Sequence, residues 1–96
     1  MTGSDLTIEV QGTPNPNAAK FVLDRPVPGE GSRSYFDQES AAEDALAARL
    51  FALNGVRALL LVDNFVTVTK TEDADWDSLV HDVQTTIEAV LSDASG

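Results

Sequence analysis

The stretch from Leu46 to Lys70, LAARLFALNGVRALLLVDNFVTVTK, constrains this chain more than any other. Leu46, Leu50 and Leu53 recur at helical spacing, with Ala45 widening the stripe, so a helix over 41–53 turns one apolar side inward. Asn54-Gly55 stops it, because glycine just past a helix accepts the left-handed conformation that other residues resist. Val56–Val62 and Phe65–Lys70 are rich in β-branched and aliphatic residues and read as strands. Asp63-Asn64 between them suits a two-residue turn, since both side chains tolerate positive φ. A helix that runs into a hairpin must bury its stripe on the hairpin's sheet.

That turn sets a register: Val62 opposite Phe65, Leu61 opposite Val66, Leu60 opposite Thr67 and Leu59 opposite Val68. Leu59, Leu61, Val66 and Val68 then share one uniformly apolar face, which is assigned to the helices. Ala58, Leu60, Val62, Phe65, Thr67 and Thr69 share the other. This mixed face is covered by the N-terminal segment or a dimer mate, or it is a docking surface for another protein.

The flanks complete a single domain, expected over residues 5–92 with disordered tails at 1–4 and 93–96. Leu6, Ile8 and Val10 alternate with polar residues as a half-buried strand, and Lys20–Leu23 returns as a second, with Phe21 and Leu23 on one face. Between them GTPNPN is a stiff loop: its prolines lack backbone donors, and Asn15 and Asn17 can bond their own neighbouring backbone. Residues 24–32 are a Pro/Gly-rich connection, and Tyr35 with Phe36 suggests a short edge strand. Asp37, or Ser40 with Glu43 in a capping box, starts the first helix. Asp73 or Asp75 caps the last one, where Trp76, Leu79, Val80, Val83, Ile87, Val90 and Leu91 follow at i, i+3, i+4, i+7 spacing; residues from Ser92 onward read as a tail. The expected fold class is α+β: a two-layer sandwich with a small mixed, mostly antiparallel sheet, in the order β-β-(short β)-α-β-β-α, and two helices on one face.

Charge and composition narrow function. Sixteen acidic against six basic residues give a net charge of −10. Such a surface repels phosphate backbones and anionic lipid, so nucleic acid and membrane are not expected as partners. After Lys70 every charged side chain is acidic. This reflects solubility, a salty cytoplasm, or a basic partner. The absence of cysteine excludes disulfides, thiolate metal sites and cysteine nucleophiles. MTGSDLTIEV does not read as a signal peptide, and no apolar run is long enough to span a bilayer, so the expected location is cytoplasmic. The lone His81 lies four residues from Asp77, a weak metal signal, and is expected to be solvated. No nucleophile, phosphate loop or paired catalytic carboxylates are specified. The expectation is therefore no enzyme activity, no cofactor, and a monomer or weak dimer.

At Thr13–Leu23 (TPNPNAAKFVL), Ala48–Lys70 (ARLFALNGVRALLLVDNFVTVTK) and Asp75–Leu79 (DWDSL), the chain resembles the N-terminal domain of Nfu/NifU-like iron–sulfur cluster scaffold proteins. The resemblance extends from about Thr7 to Leu91. It implies a small mixed sheet with helices packed on one side. In longer family members, this domain precedes one whose Cys-x-x-Cys pair holds a cluster between two subunits. Without cysteine, only an accessory role carries over: docking iron–sulfur assembly or client proteins. Matching partner-binding positions are Thr13, Asn15, Asn17, Lys20, Phe21, Arg33, Asp63, Thr67 and Lys70, with Phe65 added from the hairpin's mixed face. Set against that, the prolines and asparagines shape the loop, and Lys20, Arg33 and Lys70 are solvated surface charges. The chain has Asn64 where the family usually has Asp, and Val80-His81 in place of a common Lys-Pro. The alternative function is a small-ligand or metal-ion site on the acidic flank near Asp75, Asp77 and His81.

Overall fold

A computed structural model describes residues 7–27 and 31–95. Five strands, β1 (Ile8–Gly12), β2 (Ala18–Leu23), β3 (Arg33–Tyr35), β4 (Val56–Val62) and β5 (Phe65–Lys70), form one sheet in the order β1-β2-β5-β4-β3. Every pairing is antiparallel. Helices α1 (Gln38–Ala41), α2 (Ala45–Phe51) and α3 (Trp76–Ser95) complete the α+β architecture. Leu6 and the tail expected at 1–4 lie outside the described residues. The tail expected from Ser92 is corrected: the backbone of α3 stays helical to Ser95, since nothing in SDAS breaks a helix.

The hairpin has the register that its turn dictates. Val62 pairs with Phe65, Leu61 with Val66, Leu60 with Thr67 and Leu59 with Val68. Asp63 takes φ 44°, and Asn64 ties the turn to β2 by accepting the Leu23 N–H at 2.7 Å and donating Nδ2–H to the Leu23 carbonyl at 3.1 Å. Leu59, Leu61, Val66 and Val68 are buried, joined from β2 by Ala19, Phe21 and Leu23. Leu46, Ala47 and Leu50 of α2 and Leu79, Val83, Ile87 and Val90 of α3 close the core from above. Burying such side chains stabilises the fold by roughly 1.5–3 kcal/mol each.

The first helix differs from its expected form. A single helix over 41–53 is replaced by α1 and α2 with a break at residues 42–44. Asp37 caps α1 through the Ser40 N–H at 2.7 Å. Asp44 caps α2, accepting the Leu46 and Ala47 N–H groups at 3.1 and 3.2 Å. The second cap turns the stripe, so Ala47 is buried and Ala45 faces solvent. Gly55 ends the segment as expected, with φ +99°. A side chain there is excluded twice over, since a Cβ at Gly55 falls 2.7 Å from the Ala74 Cβ.

The α1 cap gives a pH prediction. The Ser40 N–H bonds the ionised carboxylate, which lowers the Asp37 pKa below 3.8. A depressed folded pKa means that the cap's contribution is full above the unfolded value and lost as pH falls through the folded one. The Ser40 amide resonance will therefore titrate with a midpoint below 3.8.

Candidate functional site: an uncovered sheet face and the loop at its end

Helices α2 and α3 pack on one side of the sheet, and among the described residues no second layer lies on the opposite side. Pairing parity decides what stands there. Val22 of β2, Phe65 of β5 and Val62 of β4 lie side by side in one row. Lys20, Thr67, Leu60 and Ser34 make the next, and Ala18, Thr69 and Ala58 the third. Val22, Leu60, Val62 and Phe65 are each half-buried, and none of them belongs to the apolar core under the helices. The Lys20 ammonium sits 4.2 Å from the Phe65 ring centroid, a cation–π contact that holds a positive charge over the apolar row. Glu9 and Gln11 of β1 border the face, opposite Val22 and Lys20.

The TPNPN loop closes one end of the sheet. The Thr13 hydroxyl lies 2.9 and 3.1 Å from the Asn15 and Ala18 carbonyls and accepts the Asn15 N–H. Asn15 Oδ1 accepts the Asn17 N–H at 2.9 Å, an Asx turn, and the Asn17 carbonyl accepts the Lys70 N–H at 2.7 Å. Trp76 Nε1 donates to the Pro16 carbonyl at 3.0 Å, which pins the loop to the start of α3. The loop is rigid because its polar groups are engaged within itself and with its immediate neighbours.

These placements sort the candidate residues expected from sequence. Lys20, Phe65 and Thr67 come together on the open face, and Asp63 sits exposed in the hairpin turn at the end of the Val22–Phe65–Val62 row. Thr13, Asn15 and Asn17 shape the loop. Phe21 is fully buried between Val10 and Val66, so its place in a partner-binding set is corrected to the core. Arg33 also turns to the helix side, where it forms a salt bridge to Asp44. Lys70 is 8% exposed, its Nζ donating to Asn17 Oδ1 and the Thr71 carbonyl at 3.2 and 3.3 Å and lying 5.9 Å from the Trp76 ring centroid. It is therefore not a solvated charge but a strut between loop and helix.

Asp44 is the residue that sequence reasoning missed. Its carboxylate bonds Arg33, the Tyr35 hydroxyl at 3.3 Å and two helix N–H groups, joining β3 to α2. The signal was present as Asp before Ala-Leu-Ala, a cap ahead of a strong helix former. On the acidic flank, Asp75, Asp77 and His81 are exposed. Among the described residues no three His, Cys, Asp or Glu side chains are placed to hold a metal ion. Nor, among them, is any helix long and apolar enough to cross a membrane.

A two-layer α+β domain with its helices on one sheet face and a self-braced TPNPN loop defines the class. The family model described as "Scaffold protein Nfu/NifU N terminal" matches residues 8–94, and the chain belongs to that family. Among curated relatives, the mitochondrial NifU-like protein 5 of Arabidopsis thaliana is 40% identical over 78 residues, covering 81% of this chain and 28% of that protein. The human mitochondrial NFU1 iron–sulfur cluster scaffold homolog is 37% identical over 83 residues, covering 85% and 33%. The chain thus spans about a third of the length of these relatives. Among solved structures, a NifU-like protein from Saccharomyces cerevisiae aligns with TM-score 0.79 at 25% identity, over 96% of this chain and 84% of that one. A small Staphylococcus aureus protein aligns with TM-score 0.72 at 27% identity, over 84% and 98%.

Proposed function

We propose that this domain is a non-catalytic interaction module that assists iron–sulfur cluster assembly or delivery in the cytoplasm, as a monomer or weak dimer, by docking an assembly or client protein on its open sheet face. The observation that carries the reading is the half-exposed row Val22, Phe65 and Val62 with Leu60 beside it, opposite a fully formed core. A second helix layer would bury such a row in a self-sufficient sandwich; left open, it supplies apolar contact area ready for a partner. Lys20 and Asp63 place one charge of each sign at its margin, which gives a partner orientation as well as contact.

Family membership supplies the context, since relatives are named as iron–sulfur cluster scaffolds. The chain itself has no cysteine, so it offers no thiolate to a cluster. Its one histidine is exposed on α3.

The test is an amide NMR titration of this domain with the Cys-x-x-Cys cluster-binding domain of a longer family member. Shifts at Lys20, Val22, Leu60, Phe65 and Thr67 are expected. Shifts confined to Asp75, Asp77 and His81 on adding a divalent metal, with no response to the protein, would replace the docking reading with the ion-binding one.

A further inference from the structure

Among the described residues β1 and β3 are the edge strands of the sheet, and they are not equivalent. β3 is three residues long, and its helix-side residues Arg33 and Tyr35 are engaged by Asp44. β1 is five residues long, IEVQG, with no proline, lysine or arginine to blunt it. The Asp24 N–H donates to the Thr7 carbonyl at 3.1 Å, which marks Thr7 and Asp24 as a hydrogen-bonded pair. By alternation along an antiparallel ladder, Glu9/Val22 and Gln11/Lys20 are the next bonded pairs. The N–H and C=O groups of Ile8, Val10 and Gly12 therefore point away from β2, and among the described residues no strand pairs with them.

The same three residues face the helix layer; Ile8 packs against the core, whereas Val10 and Gly12 are left exposed. Val10 is 39% exposed. Beside it runs a groove of about 340 Å³ between β1, the TPNPN loop and α3, lined by Val10, Gly12, Thr13, Pro16, Trp76 and Val80 among others. Gly12 leaves space in its wall, since a Cβ there meets nothing within 4 Å. A row of outward backbone groups thus borders an apolar slot on the same side, which is the geometry of strand addition: main-chain bonds supply affinity and alternate side chains enter the slot.

We propose that this edge and groove accept an extended segment of a basic partner protein, added as a further strand beside β1. A partner residue opposite Val10 or Gly12 shares their face and is apolar, packing toward Val80 and Trp76. A partner residue opposite Glu9 falls on the other face, beside a carboxylate, and is lysine or arginine. The net charge of −10 favours the same cationic character. It also disfavours a second copy of this chain, which would bring an equal negative charge. The edge and groove meet the open face of the preceding proposal only at Glu9 and Gln11, and their signature is at the outward amides of Ile8, Val10 and Gly12 and the Trp76 indole, so either proposal can fail without the other.

The test is a titration of the whole chain, followed by amide NMR, with a synthetic peptide alternating valine and lysine over the length of β1. A valine–glutamate peptide is the control. Expected are saturable shifts at the Ile8, Val10 and Gly12 amides and the Trp76 indole, slowed hydrogen exchange at those amides, and binding of the control weaker by about tenfold or more. Val10→Lys leaves the β1–β2 ladder intact but puts a charge in the groove, and removes the shifts; Glu9→Lys turns the preference toward the glutamate peptide. No shifts with either peptide, shifts confined to the Phe65 face, equal binding of the two, or an edge already protected by self-association would each overturn the proposal.

Discussion

Replacing Phe21 by alanine will destabilise the domain by about 3–5 kcal/mol in urea denaturation. The ring is fully buried on β2, flanked across the sheet by Val10 and Val66, with the helix layer above. Truncation removes its transfer free energy and leaves a cavity that a sheet, hydrogen-bonded on both sides, cannot collapse to fill. Lys20→Ala is the control one residue away. It faces the other side of the sheet and gives up the half-buried cation–π contact to Phe65, worth about 1 kcal/mol. A Phe21→Ala variant as stable as Lys20→Ala would mean that the two faces have been exchanged.

Asp44→Ala is expected to cost about 3 kcal/mol, because it removes a helix cap and one partner of a largely buried ion pair together. The carboxylate is 6% exposed and Arg33 22%, so the guanidinium left behind recovers little of its hydration. Asp44→Asn keeps an oxygen for the Leu46 and Ala47 N–H groups and will recover part of the loss. The pair has a second readout. The Tyr35 phenol is held above its usual pKa of 10.0, first by burial and then by the Asp44 charge. In Asp44→Ala the tyrosine titration moves back toward 10.0. An unmoved titration with unchanged stability would show that the carboxylate does not link β3 to α2.

The hairpin was legible because its information is local. A two-residue turn fixes parity for every residue on both strands, and one apolar face then selects the core. The last helix was legible for the same reason, its stripe repeating over four turns. The break at residues 42–44 was not, because alanine and leucine continue the helical pattern across it and only the tertiary partners of Asp44, Arg33 and Tyr35, make the cap worth more than the continuous helix. The candidate site was legible in part. Lys20 and Phe21 are adjacent in a matching segment yet lie on opposite faces, and the pairing of β2 with β5 that separates them spans more than forty residues of chain. The open edge at β1 had no sequence signature, since edge position is a property of the sheet and not of the strand.

The two faces of one hairpin divide the labour in the proposed function: Leu59, Leu61, Val66 and Val68 are buried in the core, while Leu60, Val62 and Phe65 are the proposed partner-binding residues. Calorimetric titration of a Leu60→Ser, Phe65→Ser variant against the Cys-x-x-Cys domain tests this most directly. The prediction is loss of binding from a domain that still unfolds cooperatively, since neither side chain belongs to the buried core. Undiminished affinity in the folded variant would contradict it.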